Sequence, residues 1–397
     1  MKLQNRALLS DGWWIEENMA WFIDEGGHAL WQYDFISNKC SFLSWLPVHG
    51  AMKERYCSGC IKCGNDMICI PDKGTDICLY SLENQSWKRI EVYNPDNKRI
   101  WGLQFKKIGN YLIIFSRGLK KLIRFETRRK IIEEYVSLSE DVEESLGLGV
   151  FWGQFFYVVS TTFSRVYEYD ITANKKTQYD LPDLEDELNV ISYKEEKFII
   201  CGKKKKVYIW DKRNNQIDII HNFPMGFGEY NFNLTEGELV NCCIQDYKER
   251  IFSNIRPAGR YIWCIPFQTN QILYFDMKTL ELKKFELPEE EETKDSLERN
   301  LLKHKYLIEY IKDNRYIGLY SLKNEQIVEI DAEKLTYRRL PFLMNFVGLE
   351  LSAGNEALKE GRQLDEWIYL SKLKHRQLEI KKNKCGNQIY KTIIEEI

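Results

Sequence analysis

No stretch of this chain is both long and apolar enough to span a membrane, and residues 1–14 carry one lysine and one arginine without the apolar centre of a secretory leader. Net charge is nearly missing as well. The 57 basic residues face 59 acidic ones, a balance of -2, so there is no broadly basic surface to release counterions from nucleic acid. Histidine is scarce, at positions 28, 49, 221, 304 and 375, and no nucleophile elbow, phosphate loop or zinc-protease helix occurs. These absences lead us to expect a cytoplasmic protein with no nucleic-acid or membrane partner, no cofactor and no recognisable catalytic apparatus. The eleven cysteines are odd in number and lie mostly inside apolar strand patterns, which reads as reduced, buried thiols.

What the chain has in abundance is one repeated pattern. Alternating apolar residues end on an acidic or small polar residue, a polar turn follows, and a second strand often closes on proline. Examples are ALWQYDFISNKCSFLSWLP from Ala29, RVYEYDITANKKTQYDLP from Arg165 and QIVEIDAEKLTYRRLP from Gln326. The pivots are Asp34, Ser81, Glu126, Asp170, Asp211, Asp276 and Asp331, the first five spaced 41 to 47 residues apart and the last two intervals stretched to 65 and 55. Upstream of each pivot lies a tight turn and a strongly apolar strand, as in GNDMICIP from Gly64 and GNYLIIFS from Gly109, and a further strand precedes it. Four short strands per unit near 45 residues is the period of a propeller blade, whose two apolar faces are buried only against neighbouring blades.

The turn-strand-pivot-turn-strand-proline pattern resembles bacterial β-propellers of the kelch, galactose-oxidase-like and quinoprotein-like type. Gly26-Gly27 matches the kelch double glycine, and Trp210-Asp211 supplies a single tryptophan-aspartate pair. The expected fold is therefore all-β, a seven-bladed β-propeller of four-stranded antiparallel blades with a short C-terminal helical tail. The expected propeller covers residues 1–342, with blades at about 10–47, 53–93, 99–138, 144–182, 187–224, 248–288 and 303–342. Insertions fall at 225–247 and 289–302, and 343–397 forms the tail, with apolar stripes at Leu364, Trp367, Ile368 and Ile389, Ile393, Ile397.

Propeller topology places the loop between the second and third strands of a blade on the same face as the blade-to-blade connections. That face gathers Lys73, Arg117, Lys120, Lys121, Arg165 and the run Lys203, Lys204, Lys205 and Lys206, with acidic counterparts from Glu140 to Glu144. Both insertions open onto it, so it is the expected recognition surface. Trp13, Trp14, Trp101 and Trp152 are placed on innermost strands, where they would fill blade interfaces or line a sugar-binding channel. His28 in the first such loop could join His49 and Asp24 or Glu25 as an acid-base pair, although no motif fixes that geometry. Cys57, Cys60 and Cys63 have the spacing of a metal site, yet strand alternation sends Cys57 and Cys63 to one face and Cys60 to the other. The expected function is accordingly a non-enzymatic binding or scaffold protein for a protein or peptide partner. A carbohydrate-binding or carbohydrate-active propeller is the alternative, and metal binding through the cysteines a weaker one.

Overall fold

The computed structural model describes residues 12–24, 29–47, 56–96, 98–182, 184, 186–202, 206–225, 227, 252–266, 271–287, 306–321, 326–341 and 343–345. Among them every regular element is a strand. The architecture is an all-β propeller with four-stranded antiparallel blades. Four-stranded meanders run over 14–45, 57–91, 102–137, 146–180, 188–220, 252–285 and 306–340. The 146–180 and 188–220 meanders merge into one eight-stranded sheet through a parallel bridge between Leu148 and Val190 on their innermost strands.

Burial is greatest on the second and third strands of each meander and falls at the outermost strand, and the sequence pattern follows it. Tyr111–Ser116, a second strand reading YLIIFS, is buried over five consecutive residues, because neighbouring sheets cover both of its faces. Ser86–Glu91, an outermost strand reading SWKRIE, leaves its charged residues exposed and only Trp87 and Ile90 half-buried. Between meanders the apolar side chains form shared clusters. Trp21 and Leu30 pack with Cys60 and Tyr80; Ile68 with Leu112 and Phe125; Phe115 with Phe156 and Tyr169; Tyr157 with Phe198 and Trp210. Ile199 and Ile209 meet Ile262 and Phe275, and Trp263 meets Ile317 and Val328. Finally Ala20, Phe22 and Tyr33 pack with Tyr310, Tyr320 and Ile327, so the last meander lies against the first.

A short strand reinforces that contact. Leu343–Asn345 pairs in parallel with Lys39, Cys40 and Ser41 on the outermost strand of the first meander, and the Tyr33 hydroxyl donates to the Pro341 carbonyl at 3.1 Å. The chain thus crosses from the last meander to the first at the point where a helical tail was expected to begin. The stripes expected to form that tail's helices lie outside the described residues.

The pivots cap the outer hairpins. The carboxylate of Asp170 accepts the main-chain N–H groups of Thr172 and Ala173, both at 2.9 Å; Asp331 accepts those of Glu333 and Lys334 at 3.1 Å, and Asp276 that of Lys278 at 3.0 Å. Side chains of this kind satisfy turn amides that the ladder leaves unpaired. The last turn residue, such as Asn38, Asn174 or Leu335, takes a left-handed φ. The inner hairpins do the same at Gly64, Gly109 and Gly153, where the absent Cβ makes that conformation free of strain. Among the described residues only Trp101 (51°) takes a positive φ outside a hairpin turn, and Lys120 (54°) closes the turn between the second and third strands of the same meander. Both lie at the loop-bearing end of the 102–137 meander.

Candidate binding face

The loop Arg117–Lys120 is zipped onto the connection that precedes its own meander. The N–H of Arg117 donates to the Trp101 carbonyl and that of Gly118 to the Ile100 carbonyl, both at 3.1 Å, while the Trp101 N–H reaches back to the Asp72 carbonyl at 2.8 Å. Gly118 is required by this closeness, since a Cβ there would lie 1.6 Å from the Arg99 carbonyl oxygen. Trp101 is pinned on both sides of its own Cα. That double restraint holds a bulky residue in the left-handed region, a conformation costing about 1 kcal/mol or more.

Two guanidinium groups lie over the Trp101 ring, Arg99 at 4.8 Å and Arg117 at 4.3 Å from its centroid. Each is held from a different neighbour. Arg99 donates through Nε and Nη2 to the two oxygens of the fully buried Asp72, both at 2.6 Å, and Arg117 donates through Nε to the Leu146 carbonyl at 2.5 Å. One indole therefore joins three consecutive meanders. Fork-shaped donors with fixed acceptors cannot easily rotate away from the ring.

Beside this group, the Lys120 ammonium donates to the carbonyls of Val142 at 3.4 Å, of Glu144 at 2.9 Å and of Asp141. It thereby shapes the connection 138–145. Glu144 is buried and accepts the Tyr167 hydroxyl at 2.6 Å and the Ser139 hydroxyl, and burial, reinforced by this carboxylate, pushes the Tyr167 phenol up from its usual range. Connections on this face carry exposed apolar residues. Val142 is 91% exposed, Tyr93 on the preceding connection 71% and Met225 on the connection after 188–220 97%. Two positions further on, Phe227 is buried against Phe252 and Phe223.

The structure brings together Trp101 and Arg117 from the residues singled out in the sequence. Arg165 sits at the next loop of the same face, 3.3 Å from Asp180 and 3.4 Å from the Tyr167 hydroxyl, with its guanidinium over Phe163. Trp13 is elsewhere, stacked on Phe22 at 4.4 Å and near Tyr310 between the first and last meanders. Trp152 ends its strand at the opposite face, 44% exposed, with Tyr193 at 4.2 Å. These tryptophans form no common platform. His28, Lys203, Lys204, Lys205 and nearly all of both insertions lie outside the described residues.

The cysteine geometry differs from simple alternation. A bulge between Cys57 and Gly59 shifts the strand by one residue, so Cys57 shares a face with Cys60, where both pack with Cys69 and Cys78, while Cys63 faces the other neighbour. Burial pushes the Cys57, Cys60 and Cys69 thiols up. Among the described residues no group of three or more histidine, cysteine or acidic side chains is arranged to hold a metal ion. Asp72, Arg99 and Gly118 were not singled out in the sequence, and Glu144 was named only among the acidic counterparts of that face. Only Gly118, following an arginine in a short loop, left a local signal.

No family model and no curated protein matches the chain. Solved structures do resemble it. Virginiamycin B lyase from Staphylococcus aureus is 10% identical, with 81% of this chain and 93% of that one covered at a TM-score of 0.55. BamB from Moraxella catarrhalis is 10% identical, covering 79% and 82% at 0.50, and the computationally designed Ika8 protein is 7% identical, covering 85% and 86% at 0.53. At these identities the likeness concerns the fold alone. The chain is a β-propeller of four-stranded antiparallel blades.

Proposed function

We propose that this propeller is a non-enzymatic binding protein that presents its loop-bearing face, centred on Trp101, to a protein or peptide partner. The observation that carries the reading is the strained Trp101 under the Arg99 and Arg117 guanidiniums, on the same face as exposed Tyr93 and Val142. Strain held by surrounding hydrogen bonds gathers where a surface is shaped for recognition. Aromatic and arginine side chains ringed by apolar residues are the usual anchors of protein interfaces. The scattered tryptophans give a sugar-stacking reading no comparable support. We further propose that each four-stranded meander is one blade of a seven-bladed ring, that residues 346–397 supply a helical tail, and that the protein works in the cytoplasm, where its buried thiols stay reduced.

Photo-cross-linking from single positions tests the binding role in cells. A photoreactive residue at 93 or 142 is expected to capture a partner that one at Ile36, equally exposed at 75% but in a hairpin turn on the opposite face, does not. Equal capture at all three positions, or at none, would refute the assignment of this face.

A further inference from the structure

We infer that Cys60 and Cys69 form a latent disulfide, closed by a hydroperoxide when the 14–45 and 57–91 meanders separate and reopened by thiols; this is independent of the binding role proposed above. Four thiols lie together on the side of the second meander that meets the first. Cys60 is opposite Cys69 on the first two strands, Cys69 is opposite Cys78 on the second and third, and the Cys57 thiol hydrogen-bonds with that of Cys78. All four are at most 1% exposed, packed with Trp21, Ile23 and Leu30 of the first meander.

Ladder register selects the pair. The Leu82 N–H donates to the Asn65 carbonyl at 2.8 Å, which makes 65 and 82 a bonded position; bonded and non-bonded positions alternate from there, so Cys69 turns its main-chain groups toward Cys78. They point away from Cys60. Cys60 and Cys69 thus occupy a non-bonded position, where Cα atoms are about 4.5 Å apart and Cβ atoms approach most closely. A disulfide needs Cβ atoms about 3.5 to 4.5 Å apart, which this position reaches with less movement than the bonded one. The chemistry requires only the peroxide. One thiolate attacks it, becoming a sulfenic acid as the O–O bond breaks and an alcohol or water leaves; the neighbouring thiol then displaces water from that sulfur, so two thiols are oxidised and one peroxide is reduced. In the closed sheet, burial pushes both thiols up and keeps them protonated and inert. Separation of the meanders admits peroxide and water, and the adjacent partner captures the sulfenic acid before a second peroxide carries it to an irreversible sulfinic acid.

Oxidation of the full chain with hydrogen peroxide at neutral pH, followed by alkylation of the remaining thiols and tandem mass spectrometry, tests this. The expected product carries a Cys60–Cys69 linkage that dithiothreitol reverses. Its rate of formation should rise severalfold in about 1 M urea, below the unfolding transition, where meander separation is more frequent. Cys78→Ala should leave the linkage in place, whereas Cys69→Ala should raise the yield of sulfinic acid at Cys60. A predominant Cys69–Cys78 or Cys57–Cys78 linkage, sulfinic acid in the wild-type chain without a disulfide, a rate indifferent to urea, or four intact thiols after oxidation in urea would each overturn the inference. The linkage is mapped in the wild-type chain, so the outcome stands even if a variant fails to fold.

Discussion

Trp101 shows how much of this protein turns on single backbone conformations. Left-handed φ is cheap at Gly109 and acceptable at Asn174, where a hairpin turn calls for it, but at a tryptophan between two meanders it persists only because Asp72 and Arg117 fix its N–H and carbonyl. Replacement separates strain from contact: Trp101→Ala keeps the strain and loses the ring, whereas Trp101→Gly loses both. The glycine variant should therefore be more stable than the alanine variant by about 1 kcal/mol in chemical denaturation, the reverse of their order at an ordinary position. Asp331 offers a second test. Arg315 donates to both its oxygens at 3.0 and 2.6 Å, and that pairing, reinforced by turn amides, lowers its pKa to about 2 from 3.8. A depressed carboxylate contributes stability above its unfolded value and loses it as pH falls through the folded one, so this contribution disappears between about pH 4 and pH 2. Arg315→Ala should flatten the stability profile in that window, as measured by thermal melting across pH; an unchanged slope would exclude the pair as a contributor.

Strands and turns were largely legible in the sequence, and the reasons are local. The acidic pivots were visible because an outer hairpin needs a side-chain acceptor for its turn amides, and Asp170 and Asp331 meet that need within three residues. The bulge at Cys57 was not visible. It depends on how an innermost strand bends to meet its neighbours, and it reverses the face on which one cysteine lies relative to another. The strand Leu343–Asn345 was missed for a related reason: three residues carry too little pattern, and their partner, Lys39–Ser41, lies some 300 residues away. Its role can be measured. A chain ending at Pro341 should melt a few degrees lower, a loss of about 1 kcal/mol, and the amides of Lys39–Trp45 should exchange with solvent faster. Exchange at wild-type rates there would mean that the strand contributes nothing to closure.

At the scale of the whole molecule, stability and recognition sit in different places. The clusters between meanders are apolar, and the one shared by Phe22, Tyr33, Tyr310 and Tyr320 joins the 14–45 and 306–340 meanders. These interfaces account for the regular period of the sequence. Recognition is assigned to the departures from that period, where three meanders converge on Trp101 through hydrogen bonds between residues such as Asp72 and Arg99 or Arg117 and Leu146. Composition drew attention to the loops that carry Arg117 and Lys120, but not to this group, because Asp72 and Arg99 are 27 residues apart in sequence and meet only once neighbouring meanders pack. The most direct test of this division is capture of the partner by a photoreactive residue at position 142 in the Trp101→Gly chain, read beside that chain's melting temperature. A recognition role for Trp101 predicts that capture falls about tenfold, the effect of removing one interface anchor worth roughly 1.4 kcal/mol, while melting stays within a few degrees of wild type. Full capture by a chain that melts much lower would instead make Trp101 a structural residue and contradict the account.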